Sequence, residues 1–599
     1  MRSFLFLFLF MPFAVLSQYY TDYIGAGHDQ GITVTSSDAL QVFGQSFMAD
    51  GTETMNGSGL DAKFMDAVRF LRQASLGANQ EYVQYVSEMG FEAWLNEQRN
   101  VPASALYTLT NEIIDEDLEL FVANGGDPED FFSPAFYHFL YAWWQTNMTN
   151  EDLLRQRVAY ALSEIMVISF YSTVDEHADG AAHFYDKLVT HGLGNYRDLL
   201  YDVSLHPCMG IYLSHFNNPR SFPSDNIHPD ENYAREVMQL FSIGLYELNI
   251  DGTQTLDGDG APIPSYGINE VKELAKVFTG LGPGAMVDNP FDVIPDFGDA
   301  AYFTDYAVPM AMYELWHEPG QKNIVNGGVI PAGQSGMEDI NDAIDILFNH
   351  PNVGPFMAQR LIQHMVKSNP TPAFIQRVAT VFNDNGQGVR GDMFATVKAI
   401  LLDEEARDCD WLNDPQQGKL SEPLVRYAQY ARMTDKLMTQ ERYWNIGYSF
   451  LLATEQAPLF SRSVFNFFQP GYQPNGPIAD QGLLAPEFQI HNSKTSLAYM
   501  NEVNDWTNWW ALMYSWEEYI EPVFVDMNGL EELAKNPEVL INHLDKLYTH
   551  GQMSDELRAN IKSAISGFQG ATVGPSYLEL RARLASYLVM ISPDYAIQK

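Results

Sequence analysis

From Asp61 onward the chain keeps returning to one pattern: apolar residues three and four apart, divided by polar faces, with few stretches that alternate in twos. Val68, Leu71 and Ser75 sit at helical spacing, and Val83, Val86, Phe91 and Trp94 carry the pattern into another helix or two. The same periodicity predicts helices over 130–148, 151–169, 194–204, 229–245, 268–280, 338–349, 352–367, 372–383, 392–404, 420–433, 537–549 and 575–591. Strand signals are sparse. The clearest falls in Leu245–Tyr266, where two short polar-apolar runs flank a turn at Ile250-Asp251-Gly252 and predict a β-hairpin. Residues 281–336 are rich in Gly, Pro and Asp and lose the periodicity. The expected fold is mainly α: an N-terminal helical lobe over 61–280, an irregular connection over 281–336, a C-terminal helical lobe over 337–599, and a small β-hairpin insertion. Residues 18–60 read as an extended N-terminal arm.

The N-terminus changes the picture of where the protein works. Met1 and Arg2 precede the apolar run Phe4–Leu16, with Val15 and Ser17 at the positions a signal peptidase requires to be small. Residues 1–17 therefore read as a signal peptide. The run falls short of the ~20 residues a spanning helix needs, and position 18 is Gln rather than Cys, which argues against a lipid anchor. A secreted or periplasmic protein with no membrane span is expected.

Composition narrows the classes further. Hydrophobic residues make up 46% of the 599, which excludes disorder as the overall answer. The 77 acidic residues outnumber 34 Lys and Arg, for a net charge of -43, and this balance argues against binding nucleic acid through its phosphates. Cys208 and Cys409 are the only cysteines, too few for a disulfide scaffold or a thiolate zinc site. No Gly-x-Ser-x-Gly elbow, Walker loop or dinucleotide fingerprint occurs.

Two groups of residues carry candidate chemistry. On the helix predicted from Pro229, one arc holds Tyr233, Ala234, Val237 and Met238, and the other holds Glu231, Asn232, Arg235, Glu236 and Gln239. Asp230, Glu231 and Glu236 are acid/base candidates, Arg235 and Arg197 are anion clamps, and Asn232 completes the polar stripe. The competing reading is a solvated face of i,i+4 pairs, or an inter-helix salt-bridge network. Glu231 and Glu236 stand about 140° apart on a helix, so another element would have to complete a two-carboxylate site. The second group is a run of six histidines within 52 residues. Of these His177, His183 and His228, with Asp186, are candidate metal ligands, set against the reading of ordinary loop histidines. No spacing among them matches a metal-binding helix pair.

The segments Arg69–Ala74, Leu154–Glu164, Gly194–Leu200, Pro229–Glu236, Ala275–Gly280, Gly388–Asp392, Ser463–Phe468 and Ile591–Tyr595 together resemble the bacterial family called domain of unknown function number 1800, from about residue 61 to the C-terminus. The resemblance implies export and a mainly helical fold, but no established reaction and no assigned catalytic residues, and the cofactor is unknown. Genes of that family often neighbour a secreted family similar to alkaline phosphatases and sulfatases. The first functional expectation is thus a binding or assembly partner of such a phosphatase/sulfatase-like protein in extracellular polymer processing or surface assembly. The second is an extracytoplasmic hydrolase using the carboxylates of the Asp230–Glu236 helix. The third is a metal-dependent enzyme using the 177–228 histidines.

Overall fold

Helices begin where the sequence supplies a cap. The Ser335 hydroxyl accepts the Glu338 amide while the Glu338 carboxylate accepts the Ser335 amide, and this reciprocal box opens Gly336–Phe348. Thr371, with Pro372 in the first turn, opens Pro372–Asn383, and Asp392 caps Met393–Leu402 through the Ala395 amide. The computed structural model describes residues 41–42, 45–46, 54–55, 60–132, 134–287, 295–299, 304–408, 414, 416–437, 442–508, 511–513 and 521–599. The signal peptide expected at 1–17, Cys409 and most of the arm expected at 18–60 lie outside them.

Among the described residues the architecture is mainly α. Strands are antiparallel runs of two or three residues, such as Leu281–Gly282 with Ala311–Met312 and Lys419–Leu420 with Ile597–Gln598. The largest sheet has three strands, with Val523–Val525 between Lys436–Leu437 and Ala511–Met513. No helix among the described residues is long and apolar enough to cross a membrane.

One continuous cluster of buried apolar side chains runs from Phe64 to Tyr595, with Trp94, Trp143, Trp144 and Trp444 wholly enclosed. Helices from either side of 281–336 pack directly on one another. Phe91–Asn100 lies on Met393–Leu402, Phe136–Thr149 on Pro423–Met433, and Leu153–Ser163 on Val353–Met365. The last of these junctions positions the site described below.

Three local features depart from the helical and strand periodicity. The helix expected over 229–245 spans only Asn232–Gln239. Its last bonds widen, the Phe241 amide reaching Glu236 and the Ile243 and Gly244 amides both reaching Met238, and Gly244 at φ 71° turns the chain out. The expected hairpin is a three-limbed meander: Leu248 bridges Gln254, Leu256 bridges Pro262, and Tyr246 bridges Pro264. Asp251 and Asp257 each fold a tip by accepting nearby amides. Finally, Ala178–His191 is a helix, so His183 and His191 are helical rather than loop residues. Its buried face includes Ala178, Gly180, Ala181 and Ala182, small residues that do not register as an apolar stripe. A Cβ on Gly180 would lie 2.4 Å from Tyr306, which is why the face is small.

Candidate functional site

Polar stripes from two packed helices meet in one cleft. On Leu153–Ser163, Arg157, Tyr160 and the C-cap Glu164 follow one another at helical spacing. On Val353–Met365, Phe356, Gln359, Arg360, Gln363 and His364 recur three and four apart along the cleft, while Met357, Leu361 and Ile362 on the other side enter the core. Glu422 stands just before Pro423–Met433, and Lys419 lies on the short strand that pairs with Ile597–Gln598. That pairing depends on Gly418, whose φ is 88° and whose Cβ would fall 2.4 Å from the Gln598 carbonyl oxygen.

The cleft has a volume of about 680 Å³ and is open on one side. Glu164 and His364 belong to its lining. The meander contributes Leu245, Tyr246, Leu248 and Gln254, the segment around 464–471 contributes Phe465 and Gln469, and the end of Asn232–Gln239 contributes Gln239 and Leu240. Leu484 at the rim is held by Asn369, which accepts its amide and donates to its carbonyl.

Within the floor, the Glu164 and His364 side chains come to 2.8 Å, Oε2 to Nδ1. Glu422 lies behind them, and one ligand atom from each of the three residues falls within 4.8 Å of the others. Glu422 is held by its far oxygen: Oε2 accepts from the Tyr160 hydroxyl at 2.8 Å and from Gln456 Nε2 at 2.7 Å. Lys419 Nζ pairs with Glu487 at 2.9 Å and stands 3.6 Å from Glu422 Oε1. Lys419 also donates to the His364 carbonyl at 2.9 Å, as does Arg157, so two cations serve the C-terminal end of that helix.

The centre is incompletely satisfied. Both Glu164 oxygens, Glu422 Oε1, Glu487 Oε2 and His364 Nδ1 are buried without a well-aligned hydrogen bond, although Glu164 Oε2 and His364 Nδ1 face each other at 2.8 Å and Glu164 also interacts with Glu422 and Asn466. Three carboxylates face two cations. Burial pushes Glu164 and Glu487 above the ordinary carboxylate range, and burial together with the adjacent Glu164 pushes Glu422 up to about 7. Burial, reinforced by the Lys419 charge, presses His364 down to about 3, leaving a neutral imidazole whose Nδ1 faces Glu164 Oε2. Two carboxylates and one neutral imidazole with converging donor atoms are a donor set for a divalent cation. Tyr160 and Gln456, which hold the far oxygen of Glu422, would orient that ligand.

The residues singled out from the sequence lie elsewhere. Asp230 accepts the Asn232 amide at 2.8 Å, Glu231 pairs with Arg235 at 3.2 Å on a half-exposed face, and Asn232 reaches Ser214 at 3.4 Å. Arg197 is engaged with Asp345 at 2.8 Å and Asn341 at 3.0 Å. Glu236 differs: one of its oxygens is buried without a partner, burial raises its pKa, and Gln239 one turn on lines the cleft. The signature helix thus reaches the site by its C-terminal end rather than by the Asp230–Arg235 stripe.

Nor are the histidine candidates gathered together. His177 stacks on Tyr306 with ring centroids 4.0 Å apart, His183 meets His206 at 3.0 Å, and His228 is exposed. Asp186 accepts the Leu106 and Tyr107 amides at 2.8 and 3.0 Å, which makes it a helix-start ligand of backbone rather than of metal. Among the described residues, Glu164, His364 and Glu422 form the one group of three or more His, Cys, Asp and Glu side chains with donor atoms close enough to share an ion. A sequence signal for it existed: Gln359, Arg360, Gln363 and His364 make a polar stripe inside the helix predicted over 352–367.

No curated protein and no solved structure matches the chain. The family model described as Protein of unknown function (DUF1800) matches residues 69–597, and the chain belongs to that family.

Proposed function

We propose that the protein is a metal-dependent hydrolase whose active site is the cleft floored by Glu164 and His364, with Glu164, His364 and Glu422 as ligands of one divalent cation. The observation that carries this reading is the set of buried, poorly hydrogen-bonded carboxylate oxygens converging with an imidazole nitrogen at the edge of an open cavity. An uncompensated buried carboxylate costs several kcal/mol, and a cation would neutralise it. One imidazole and two carboxylates suit Zn²⁺, Mn²⁺ or Fe²⁺ better than a soft ion. Such a cation lowers the pKa of water and polarises the oxygen of an electrophile. Export through residues 1–17 would place the reaction outside the cytoplasm.

This reading moves the chemistry away from the Asp230–Glu236 helix and from the 177–228 histidines. It also favours catalysis over the binding role with a phosphatase/sulfatase-like partner, because a docking surface has no need of unpaired buried lone pairs. The test is a panel of chromogenic ester, amide, glycoside and phosphoester substrates. The purified full chain is assayed as isolated, after chelation, and after addition of ZnCl₂ or MnCl₂. Hydrolysis that chelation abolishes and metal restores, and that His364→Ala lacks, supports the reading. Hydrolysis by rigorously metal-free protein overturns it.

A further inference from the structure

The cleft lining says what kind of molecule it would hold, and this inference rests on the reading of the cleft as a substrate site. In a chain with 77 acidic residues, Glu164 is the only carboxylate among the described residues of the lining, and it belongs to the floor. The walls instead carry amides. The side chains of Gln239, Gln254, Gln359 and Gln469 form no hydrogen bond among the described residues. A free primary amide offers two donors and one accepting oxygen, the complement of a hydroxyl that also donates and accepts. Beside them stand aromatic faces: Tyr246 and Phe465 are more than one-third exposed, and Phe356 lies under the Arg360 guanidinium at 5.1 Å. Arrayed amides with aromatic platforms match a ring that has hydroxyls around its rim and polarised C–H bonds on its faces.

Arg360 adds the charge. Among the described residues it is the only cation of the lining and pairs with no carboxylate, and it donates at 3.2 Å to Gln363. Burial lowers its pKa only to about 10, so it stays protonated. A guanidinium with open donors in a half-enclosed cleft is suited to bidentate capture of a carboxylate or sulfate.

We propose that the cleft binds an anionic oligosaccharide, its hydroxyls read by the glutamine amides, its ring faces resting on Tyr246 and Phe465, and its carboxylate or sulfate held by Arg360. The free side-chain amides and exposed aromatic faces favour a hydroxyl-bearing ring over a peptide.

Isothermal titration of the full chain with four probes tests this: tetragalacturonate, a sulfated carrageenan tetraose, cellotetraose and an acidic tetrapeptide. We expect one charged glycan to bind at least about tenfold tighter than cellotetraose, and Arg360→Gln to remove about that factor. The chelator-treated wild-type chain should keep this binding. Retention there with loss of metal separates the glycan site from the metal reading. A wild-type protein that binds metal but prefers no charged glycan, or prefers the peptide, overturns the proposal and leaves the metal reading standing. If Arg360→Gln fails to fold, rising salt reads the same contact in the wild type: binding must weaken, and an unchanged affinity overturns the role of Arg360.

Discussion

His364 stands in the last turn of Val353–Met365 and Lys367 just past its end, and each enters a buried charged cluster. Lys367 meets Glu405 at 2.8 Å, and the rest of that carboxylate is occupied, Oε1 by the Thr371 amide at 3.0 Å and Oε2 by the Thr371 hydroxyl at 2.6 Å. The pair is sealed from solvent and both carboxylate oxygens are used. His364 meets Glu164 at a similar distance, yet both oxygens of that carboxylate lack good hydrogen bonds and the residue borders a cavity. Burial is alike in the two clusters. What separates architecture from a binding site is whether the lone pairs are already spoken for, and whether something from outside can reach those that are not.

The sharpest way to break the comparison is to disrupt the sealed pair. Lys367→Met leaves Glu405 buried without its cation and should destabilise the protein by about 3–5 kcal/mol, read from chemical denaturation. Glu164→Gln should change stability by less than about 1 kcal/mol, because the buried carboxylate it removes is one that the protein satisfies poorly. Equal losses for the two substitutions would erase the distinction.

A smaller effect tests how Glu422 is held. Tyr160→Phe removes the hydroxyl that donates to Glu422 Oε2 and accepts from Gln456. Affinity for Zn²⁺ or Mn²⁺ should fall by about 10- to 100-fold, the usual weight of an orienting partner, as measured by competition with a chromogenic chelator. An unchanged affinity would place Glu422 outside the ligand set. The smallest effect belongs to the stripe that the sequence brought forward. Arg235→Ala breaks only a half-exposed i,i+4 pair with Glu231, so stability should move by no more than about 1 kcal/mol and metal affinity should not change.

Much of the fold could be read from periodicity. The helix predicted over 372–383 is present with those ends, and those predicted over 194–204 and 338–349 differ by one or two residues at their termini. Ala178–His191 escaped because the first half of its core face is Ala and Gly, and the end of the 229–245 helix escaped because widened turns and Gly244 close it early. The site was harder to read. Its residues come from positions 164, 364, 419, 422 and 487, so no local spacing could bring them together. The stripe at 356–364 was visible as a pattern, but only packing of Leu153–Ser163 against Val353–Met365 turns it toward Glu164. By contrast, the Asp230–Arg235 stripe was conspicuous because its partners are local, which is also why they satisfy one another.

The most direct test is isothermal titration of ZnCl₂ and MnCl₂ into chelator-treated full-length protein, alongside Glu164→Gln, His364→Ala and Lys367→Met. The account predicts one equivalent of metal bound by the wild type and by whatever Lys367→Met protein is folded, and loss of that binding in both Glu164→Gln and His364→Ala. Wild-type protein that binds neither ion, or binding that survives in His364→Ala, would contradict it.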